Sequence, residues 1–396
     1  MEHVTAFLRE RKKSGMLRQL VPIERLGQGR IRPLTASDGS VFVDFSSNDY
    51  LALAEHPAVV AGSRQQLEAY GAGAGAARLM SGSLEIHQLL EKKMAQLEGK
   101  EAALLFGSGY LANIGVLSAL TGREDVIFTD RLNHASIYDG CRLSGTRIIR
   151  FRHNDLNHLE DLLKKNRGLY KQALIIVESI YSMDGDRSPL RELVALKSRY
   201  HGVLAVDEAH AVGIFGSNGG GVIEEDGVGE GVDITIGTFG KALGSYGAFV
   251  AASQRMIDYL INQARTFVYS TALPPPVIGA SLAAVNLLQT EAGMRSELRQ
   301  KAVLFKKYLQ KGGVADELGP SQIVPILVGD SLLAVKIADE LKKHHIFATA
   351  IRPPTVPQGT ARLRFSITRH HREEDLQKTA QILTTLVMKQ RAKNQL

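Results

Sequence analysis

Short apolar runs alternate with helical patterns through the middle of the chain. Each run is bounded by turn residues, and the segments between most runs place apolar residues at helical spacing. This strand–helix rhythm predicts an α/β fold, with a mostly parallel seven-stranded sheet flanked by helices on both faces. The predicted strands are Ala102–Phe106, Asp125–Thr129, Thr146–Phe151, Ala173–Val177, Gly202–Val206, Asp233–Ile236 and Gly247–Ala251.

The two ends of the chain carry other patterns. Residues 1–20 predict a helix of mixed charge, residues 42–45 a short strand, and a long helix continues from the prolines at 274–276 towards residue 310. The last hundred or so residues predict a β-α-β-β-α order over Gln322–Val328, Ser331–His344, Ile346–Ala350, Arg362–Ile367 and Glu373–Lys389. We therefore expect an N-terminal arm (1–47), a large α/β domain (48–290) and a small C-terminal α+β domain (291–396).

Composition favours a globular intracellular enzyme. The chain has 396 residues, 44% apolar and 22% charged, which is ordinary for a soluble enzyme of two domains. Its net charge of +7 would suit an acidic partner, but Lys and Arg are scattered without the dense tract that nucleic-acid binding favours. The single cysteine, Cys141, permits no intramolecular disulfide. With no signal-peptide core and no membrane-length apolar run, we expect a cytoplasmic protein.

A lysine and an aspartate follow two of the predicted strands. Lys241 lies in a glycine-rich turn after the run Val232–Ile236, and Asp207 follows Gly202–Val206. Ligands of such sheets bind beyond the carboxyl ends of the strands, so both side chains are expected at one site. A lysine can form an imine with a pyridine aldehyde, and a carboxylate can keep the ring nitrogen protonated. The pair therefore predicts pyridoxal 5′-phosphate as cofactor and no metal.

Three further side chains fit that site. His210, three residues after Asp207, could hydrogen-bond the phenolic oxygen of the cofactor, and Ser182, past another strand, could reach the same oxygen. His134 follows a strand and could stack on the ring, although the residue taken alone also fits a structural histidine.

Two motifs point to other functions. Gly107–Ala112 matches the G-x-G-x-x-G/A dinucleotide fingerprint, but a glycine turn at a helix start cradles a single phosphate equally well. Asp207–His210 spells a helicase-like box, yet no Gly-Lys pair here completes a phosphate-binding loop. Asp207 and Lys241 have no role in hydride transfer. An NAD-dependent dehydrogenase and a non-catalytic nucleic-acid-binding protein stay open as alternatives.

The motifs taken in order resemble the α-oxoamine synthases, a family of fold-type I pyridoxal-phosphate enzymes that usually act as homodimers. The resemblance covers nearly the whole chain. It implies the aminotransferase-like fold and active sites shared between two subunits. The matching motifs are Ser46–Leu51, Ser108–Tyr110, Asn133–Ser136, Ser182–Asp186, Asp207–His210, Thr238–Gly244 and Tyr269–Thr271.

The resemblance implies a role for each matching residue. Lys241 would be the Schiff-base lysine, and His134, Asp207 and His210 would act with it in catalysis. Thr271 would reach the phosphate of the other subunit's cofactor. The cofactor-binding residues would be Ser108, Gly109, Tyr110, His134, Ser182, Asp207, His210, Thr238, Lys241 and Thr271. The substrate-binding residues would be Arg364 and Asn48 for the amino-acid carboxylate, Arg18 and Thr355 for the acyl substrate, and His134.

One segment narrows the choice within the family. The segment Ala350–Pro357, continuing to Gly359–Arg364, resembles the members of the family that act in biotin biosynthesis. Those members condense L-alanine with a pimeloyl thioester carried on coenzyme A or on an acyl carrier protein. Glycine C-acetyltransferase and 5-aminolevulinate synthase, which belong to the same family, stay open. The chain departs from its relatives where alanines replace serines, at 74, 76 and 77, and where Ser245-Tyr246-Gly247-Ala248 replaces consecutive glycines.

Overall fold

The chain forms two compact units in the computed structural model, which describes residues 1–35, 38–314 and 318–394, with side chains through residue 390. The larger unit comprises Leu53–Ser182 and Arg187–Arg295. The smaller unit comprises Met1–Ala52, Met183–Asp186 and Ser296–Leu396. Each unit groups residues that pack mainly against one another. The division into an arm, a large domain and a small domain that the sequence predicts stays a prediction.

Fourteen strands in the described residues, numbered β1–β14 in chain order, form three sheets. They are Ile23–Gly27, Arg30–Pro33, Phe42–Asp44, Ala102–Phe106, Val126–Asp130, Arg147–Phe151, Ala173–Glu178, Val203–Asp207, Ile234–Thr238, Ala248–Ala252, Ile323–Gly329, Ile346–Phe347, Thr349–Ile351 and Ala361–Ser366.

Fourteen α-helices, α1–α14, lie in the same described ranges. They are Glu2–Lys13, Pro57–Tyr70, Glu85–Leu97, Gly109–Leu120, Ala135–Ser144, Leu156–Asn166, Leu190–Arg199, Val222–Asp226, Gln254–Gln263, Arg265–Val268, Pro275–Thr290, Gly293–Lys311, Ser331–Lys342 and Glu373–Asn394. No helix among the residues described combines the length and the apolar character needed to cross a membrane.

The seven-stranded sheet of the larger unit confirms the predicted fold. Its order is β4-β10-β9-β8-β7-β5-β6, and every neighbouring pair is parallel except those made by β10. Every residue of β5 and β7 is buried, because helices cover both faces. Each fully buried Val, Leu or Ile contributes roughly 1.5–3 kcal/mol, so this sheet is the main source of stability in the unit. The sheet also aligns the carboxyl ends of β5, β7, β8 and β9 at one edge.

A close helix crossing supports that edge. Gly140 of α5 faces α4, where an added Cβ would lie 3.0 Å from the carbonyl oxygen of Asn113 and 3.1 Å from Cα of Ile114. A larger side chain would push the helices apart, which costs about 1–3 kcal/mol in a packed core. The glycine therefore sets the distance between the helix that follows β4 and the helix that follows β5.

The smaller unit holds the other two sheets, with orders β1-β2-β3-β12 and β11-β14-β13. The single strand predicted over Ile346–Ala350 is wrong, because the chain forms two strands there that join different sheets. β12 pairs in parallel with β3, whereas β13 pairs antiparallel with β14.

Two predicted helices also have other bounds. The N-terminal helix ends at Lys13, because Gly15 takes the left-handed conformation with φ +67°. The long helix that was expected towards residue 310 is two helices, because Glu291 leaves the helical conformation at φ −124° and ψ 56°. The second of them begins at Gly293.

Candidate active site

Lys241 and His210 are in contact at the carboxyl edge of the large sheet. The Nζ atom of Lys241 lies 2.8 Å from Nε2 of His210. Lys241 is held in a tight turn after β9, which ends with Gly244 in the left-handed conformation at φ +60°. A Cβ on Gly244 would come within 2.3 Å of the backbone nitrogen of Ala54, so only glycine fits there. The turn thus fixes a primary amine at the point where the sequence placed it.

Asp207 is the last residue of β8, and it is buried. One carboxylate oxygen, Oδ1, accepts a hydrogen bond from the Ala209 N–H at 2.9 Å, and Oδ2 accepts one from the Asn113 amide at 2.8 Å. A buried carboxylate needs a cationic partner to offset the loss of its hydration. The carboxylate is therefore fixed in position and suited to hold a protonated heterocyclic nitrogen.

Asn113 was missed by sequence reasoning. It lies inside α4, where an asparagine gives no signal of its own, and its amide nitrogen also donates to Oγ of Ser136 at 3.0 Å. The Oγ atom of Ser136 in turn lies 2.8 Å from Nδ1 of His134. A chain of polar contacts therefore links Asp207 to His134 through two residues of neighbouring helices.

His134 is the residue that precedes α5, and its ring caps the helix by accepting the Ser136 N–H at 3.3 Å. Burial lowers the pKa of His134, and the positive charge of Lys241 lowers it further, while the attraction of Asp207 acts in the opposite direction. The ring is accordingly neutral at physiological pH. His134 as a whole is exposed to solvent, so a neutral imidazole there has a face available for stacking on a flat cofactor ring.

The start of α4 adjoins the end of β9, where the sequence predicts the cofactor phosphate. Ser108 caps the helix by accepting the Leu111 N–H at 3.2 Å. A Cβ built on Gly109 would lie 4.0 Å from Cβ of Thr238, so the helix start adjoins the strand end. Thr238 donates to the Gly247 carbonyl at 2.9 Å and accepts the Gly240 N–H at 3.2 Å. Free N–H groups at a helix start favour a phosphate.

The other residues of the larger unit that the resemblance assigns to the cofactor occupy different environments. Ser182 is buried, and its N–H donates to the carboxylate of Glu178 at 3.2 Å. Tyr110 is 44% exposed and donates its hydroxyl proton to Asp139. Thr271 is exposed and forms an isolated antiparallel bridge with Ala77, which ends the Gly/Ala loop of residues 71–77.

A second buried set of polar groups lies in the smaller unit. The guanidinium of Arg364 donates to Oδ1 of Asn48 at 3.0 Å, to Oγ of Ser366 at 2.8 Å and to the hydroxyl of Tyr50 at 3.1 Å. Arg364 is only 7% exposed. Burial raises the pKa of Tyr50 against the attraction of Arg364, so the tyrosine stays neutral. A buried arginine held by neutral oxygens is suited to bind a carboxylate.

Arg18 and Thr355, which the resemblance assigns to the acyl substrate, lie in contact within the smaller unit. Nη2 of Arg18 donates to Oγ1 of Thr355 at 2.7 Å. Arg352, three residues before Thr355, donates to the carbonyl oxygens of Gly15 and Leu17. The chain after α1 is thereby anchored on the segment that carries Thr355. Two guanidinium groups lie close together there, and their mutual repulsion helps burial to lower the pKa of Arg352.

The donor groups of the larger unit fit pyridoxal phosphate. They comprise a primary amine at Lys241, a buried carboxylate at Asp207, a neutral histidine at 134 and a helix start at Ser108. These are the groups needed for an aldehyde, a pyridine nitrogen, a ring face and a phosphate. No cluster of three or more His, Cys, Asp or Glu with metal-binding geometry occurs among the described residues.

The chain matches the family model "Aminotransferase class I and II" over residues 40–383. It is 44% identical to the 8-amino-7-oxononanoate synthase of Geobacter sulfurreducens over 373 residues, which are 94% of both chains. It is also similar to solved structures. SPT with a PLP internal aldimine superposes with a TM-score of 0.89 at 28% identity, covering 97% of this chain and 96% of that one. The 8-amino-7-oxononanoate synthase of Francisella tularensis superposes with a TM-score of 0.76 at 29% identity, covering 88% and 98%.

Proposed function

The chain belongs to the aminotransferase class I and II family, and we propose that within it the protein acts as an 8-amino-7-oxononanoate synthase. It would condense L-alanine with a pimeloyl thioester and release CO₂ and the free thiol, as a step of biotin biosynthesis. The observation that carries this proposal is the contact of Lys241 with His210 beside the buried Asp207, in a chain that is 44% identical to such a synthase along 94% of its length. The cofactor is pyridoxal 5′-phosphate.

The amine of Lys241 has two tasks in this reaction. It would hold the cofactor through its aldehyde in the resting enzyme, and it would accept the α-proton of the bound amino acid. General-base catalysis of this kind contributes typically about 10²–10⁴-fold. The contact of 2.8 Å with His210 limits the rotamers of the lysine, so the nitrogen stays directed into the site. When bound, pyridoxal phosphate supplies an electron sink for the negative charge that develops at the substrate α-carbon.

Asp207 would hold the heterocyclic nitrogen of the cofactor in its protonated form. Its two hydrogen bonds, from the Ala209 N–H and from Asn113, fix the carboxylate in one orientation before the ring arrives. Little reorganisation is then needed during the reaction, which is where preorganised electrostatics act. His210 would hydrogen-bond the phenolic oxygen together with Ser182.

His134 would stack on the ring and polarise the thioester carbonyl. Its lowered pKa leaves a neutral imidazole that can donate one N–H at pH 7. The contact between Nδ1 and Oγ of Ser136 fixes the tilt of the ring. Ser108, Gly109, Tyr110 and Thr238 would surround the cofactor phosphate.

The substrates would be held by residues of the smaller unit. Arg364 and Asn48 would bind the alanine carboxylate, and the 3.0 Å hydrogen bond between them sets the direction of the guanidinium. Arg18 and Thr355 would contact the acyl substrate. Either coenzyme A or an acyl carrier protein presents phosphate or carboxylate groups that a pair of guanidinium groups can attract.

We also propose a homodimer with shared active sites. Thr271 would bind the phosphate of the cofactor in the other subunit, and its exposed position next to the Gly/Ala loop supports this role. Sedimentation of the purified protein measures the assembly directly. In a mixture of Lys241→Ala and Thr271→Val chains, a shared site predicts activity from heterodimers that neither parent has; a sedimenting monomer or no such recovery would count against it.

The decisive experiment supplies purified protein and pyridoxal phosphate with L-alanine and pimeloyl-CoA or a pimeloyl carrier protein. Mass analysis should detect 8-amino-7-oxononanoate, together with one free thiol per product. The Lys241→Ala variant is the control and should form none. A wild-type protein that binds the cofactor but gives no product with either donor would refute the proposal.

A second candidate is an acyltransferase that uses another amino acid, such as serine palmitoyltransferase or glycine C-acetyltransferase. It is favoured by one observation, the TM-score of 0.90 to the serine palmitoyltransferase of Sphingomonas wittichii at 30% identity. Thiol release measured with L-alanine, glycine and L-serine, each with pimeloyl-, acetyl- and palmitoyl-CoA, separates the candidates. Preference for serine with palmitoyl-CoA or for glycine with acetyl-CoA would support the second.

A further inference from the structure

Glu178 is a buried carboxyl group that none of the roles above uses. It ends β7, and the register of the parallel ladder places it directly beside Asp207 of β8. The residue is 3% exposed. Two carboxyl groups in adjacent buried positions repel each other when both are ionised. One of them is therefore expected to hold a proton.

The hydrogen bonds of Glu178 connect two loops of the site. Oε2 accepts the Ser182 N–H at 3.2 Å, and the backbone N–H of His134 is a second donor to the carboxyl group. The backbone N–H of Glu178 itself donates to Oδ1 of Asn133 at 3.2 Å. The residue thus joins the loop after β5, which carries His134, to the loop after β7, which carries Ser182.

The second carboxyl oxygen faces a different environment. Oε1 of Glu178 is buried and makes no hydrogen bond to any described residue. An ionised oxygen in that position would lose its hydration without compensation, whereas a protonated one loses much less. The geometry alone therefore favours a neutral carboxylic acid with its proton on Oε1.

The charged and titratable groups around Glu178 act in both directions. Burial and the negative charge of Asp207 raise its pKa to about 8, while the positive charge of Lys241 and the two backbone donors lower it. Tyr181, which the same carboxyl group faces, is itself neutral, because burial raises its pKa. His134 is neutral as well. His210 lies in contact with Lys241.

We propose that Glu178 is a positioning residue, which holds a proton on Oε1 so that no second anion stands opposite Asp207 in the β7–β8 ladder, while its carboxyl group fixes the loops of His134 and Ser182. The inference deepens the proposed function, on which it rests for the role of Asp207 towards the cofactor. A second anion beside Asp207 would compete with it for a cationic ring nitrogen. It would also attract the positively charged amine of Lys241 and draw that side chain out of position. Deprotonation of Glu178 at alkaline pH should accordingly disturb the site.

The protonation state can be measured without any turnover. Infrared spectra of the full-length protein as purified should contain a protonated-carboxyl band at pH 7 that weakens in Glu178→Gln and that fades in the wild type as the pH rises through about 8. Glu208→Gln is the matched control, since Glu208 is also a buried carboxyl whose pKa is raised, to about 7, but it bonds Ser179 and the start of α8. Identical bands in wild type and Glu178→Gln would overturn the proposal.

The positioning role is tested on the holoenzyme through the pH dependence of the cofactor absorbance and of kcat/KM. Glu178→Gln copies the neutral acid, so it should keep cofactor affinity within about threefold at pH 7 and lose an alkaline transition near pH 8 that wild type and Glu208→Gln share. Glu178→Ala removes the anchor of both loops and should weaken cofactor binding by roughly tenfold or more. Coinciding pH profiles of wild type and Glu178→Gln would overturn the role.

If neither the wild type nor any variant binds the cofactor, the proposed function fails. The infrared comparison still decides in that case whether Glu178 carries the proton.

Discussion

The Nζ atom of Lys241 lies 2.8 Å from Nε2 of His210, although 31 positions separate the two residues in the chain. The contact exists because β8 and β9 are parallel neighbours, so the loops that follow them meet at one edge. The same edge carries Asp207. The order of the strands therefore brings these three side chains to one edge of the sheet.

Lys241→Ala should abolish turnover and leave the fold intact. The substitution removes both the amine that binds the aldehyde and the base, so we expect a loss of at least about 10²–10⁴-fold in kcat. Product formation followed by mass analysis gives the rate, and circular dichroism confirms the fold. Activity near the wild-type value would exclude Lys241 as the reacting amine.

Asp207→Asn should lower kcat by about 10²-fold or more and weaken cofactor binding. The amide keeps the shape of the side chain but cannot offset a positive charge on the ring nitrogen. Steady-state kinetics and a cofactor titration measure the two effects. The control is Asp258→Asn on α9, whose carboxylate accepts only an exposed hydrogen bond from Gln254 and should leave both values unchanged. Equal behaviour of the two variants would contradict the role of Asp207.

Ser108→Ala should weaken the cofactor phosphate contact as well as the helix. Ser108 and Ser253 cap α4 and α9 by the same bond, each accepting an N–H three residues on, at 3.2 and 3.3 Å. Loss of either cap should cost about 0.5–2 kcal/mol of stability, measured by urea unfolding. Only the change at Ser108 should also raise the Kd for pyridoxal phosphate. A similar rise in Ser253→Ala would show that helix stability, and not phosphate contact, is responsible.

Arg364→Lys should raise the KM for L-alanine by about tenfold or more with a smaller effect on kcat. Lysine keeps the charge but not the planar fork that pairs with a carboxylate. Arg369→Lys is the matched control, because Arg369 pairs with Glu297 on a part-buried surface of the same unit. A KM that is unchanged in Arg364→Lys would move the carboxylate site elsewhere.

The smaller unit should lose stability in acid because of His371. Burial lowers the pKa of this histidine from 6.5 to about 4, and its ring stacks on Phe45 with centroids 4.1 Å apart. Since the folded pKa is below the unfolded one, the stabilisation is complete above about pH 6.5 and is lost as the pH falls towards about 4. The full shift corresponds to about 3 kcal/mol.

Urea unfolding at pH 7, 5 and 4 measures that loss. The difference in unfolding free energy between wild type and His371→Gln should shrink as the pH falls through this window. Groups that titrate alike in both proteins cancel in this difference. The control His344→Gln, which replaces an exposed histidine, should show the same pH dependence of unfolding free energy as the wild type. A constant difference at all three pH values would show that His371 does not titrate between the folded and unfolded states.

The large sheet could be predicted from the sequence because its strands are continuous apolar runs buried on both faces. Their ends then indicated Asp207 and Lys241, since the side chain that follows a buried strand lies at the sheet edge. β1 and β2 could not be predicted this way. Four of the five residues of β1 are exposed, so no apolar run marks the strand.

Contacts that depend on three-dimensional packing were also beyond the sequence. Asn113 reaches Asp207 only because α4 packs on the large sheet against β9 and β10, and nothing in its own helix distinguishes it. The predicted strand Ala173–Val177 stops before Glu178, and only the register beside Asp207 shows that Glu178 is buried next to another carboxyl group. The division of Ile346–Ile351 between two sheets likewise depends on which partners those strands find.

The antiparallel strand β10 has a consequence for synthesis of the protein on the ribosome. β4 lies at the sheet edge and pairs with β10, whose Ala248 sits between Phe106 and Thr238. A nascent chain that stops before residue 248 therefore carries β4 without its neighbour. Such distant pairing closes slowly. The growing polypeptide can complete the seven-stranded sheet only after this late strand has been made and inserted.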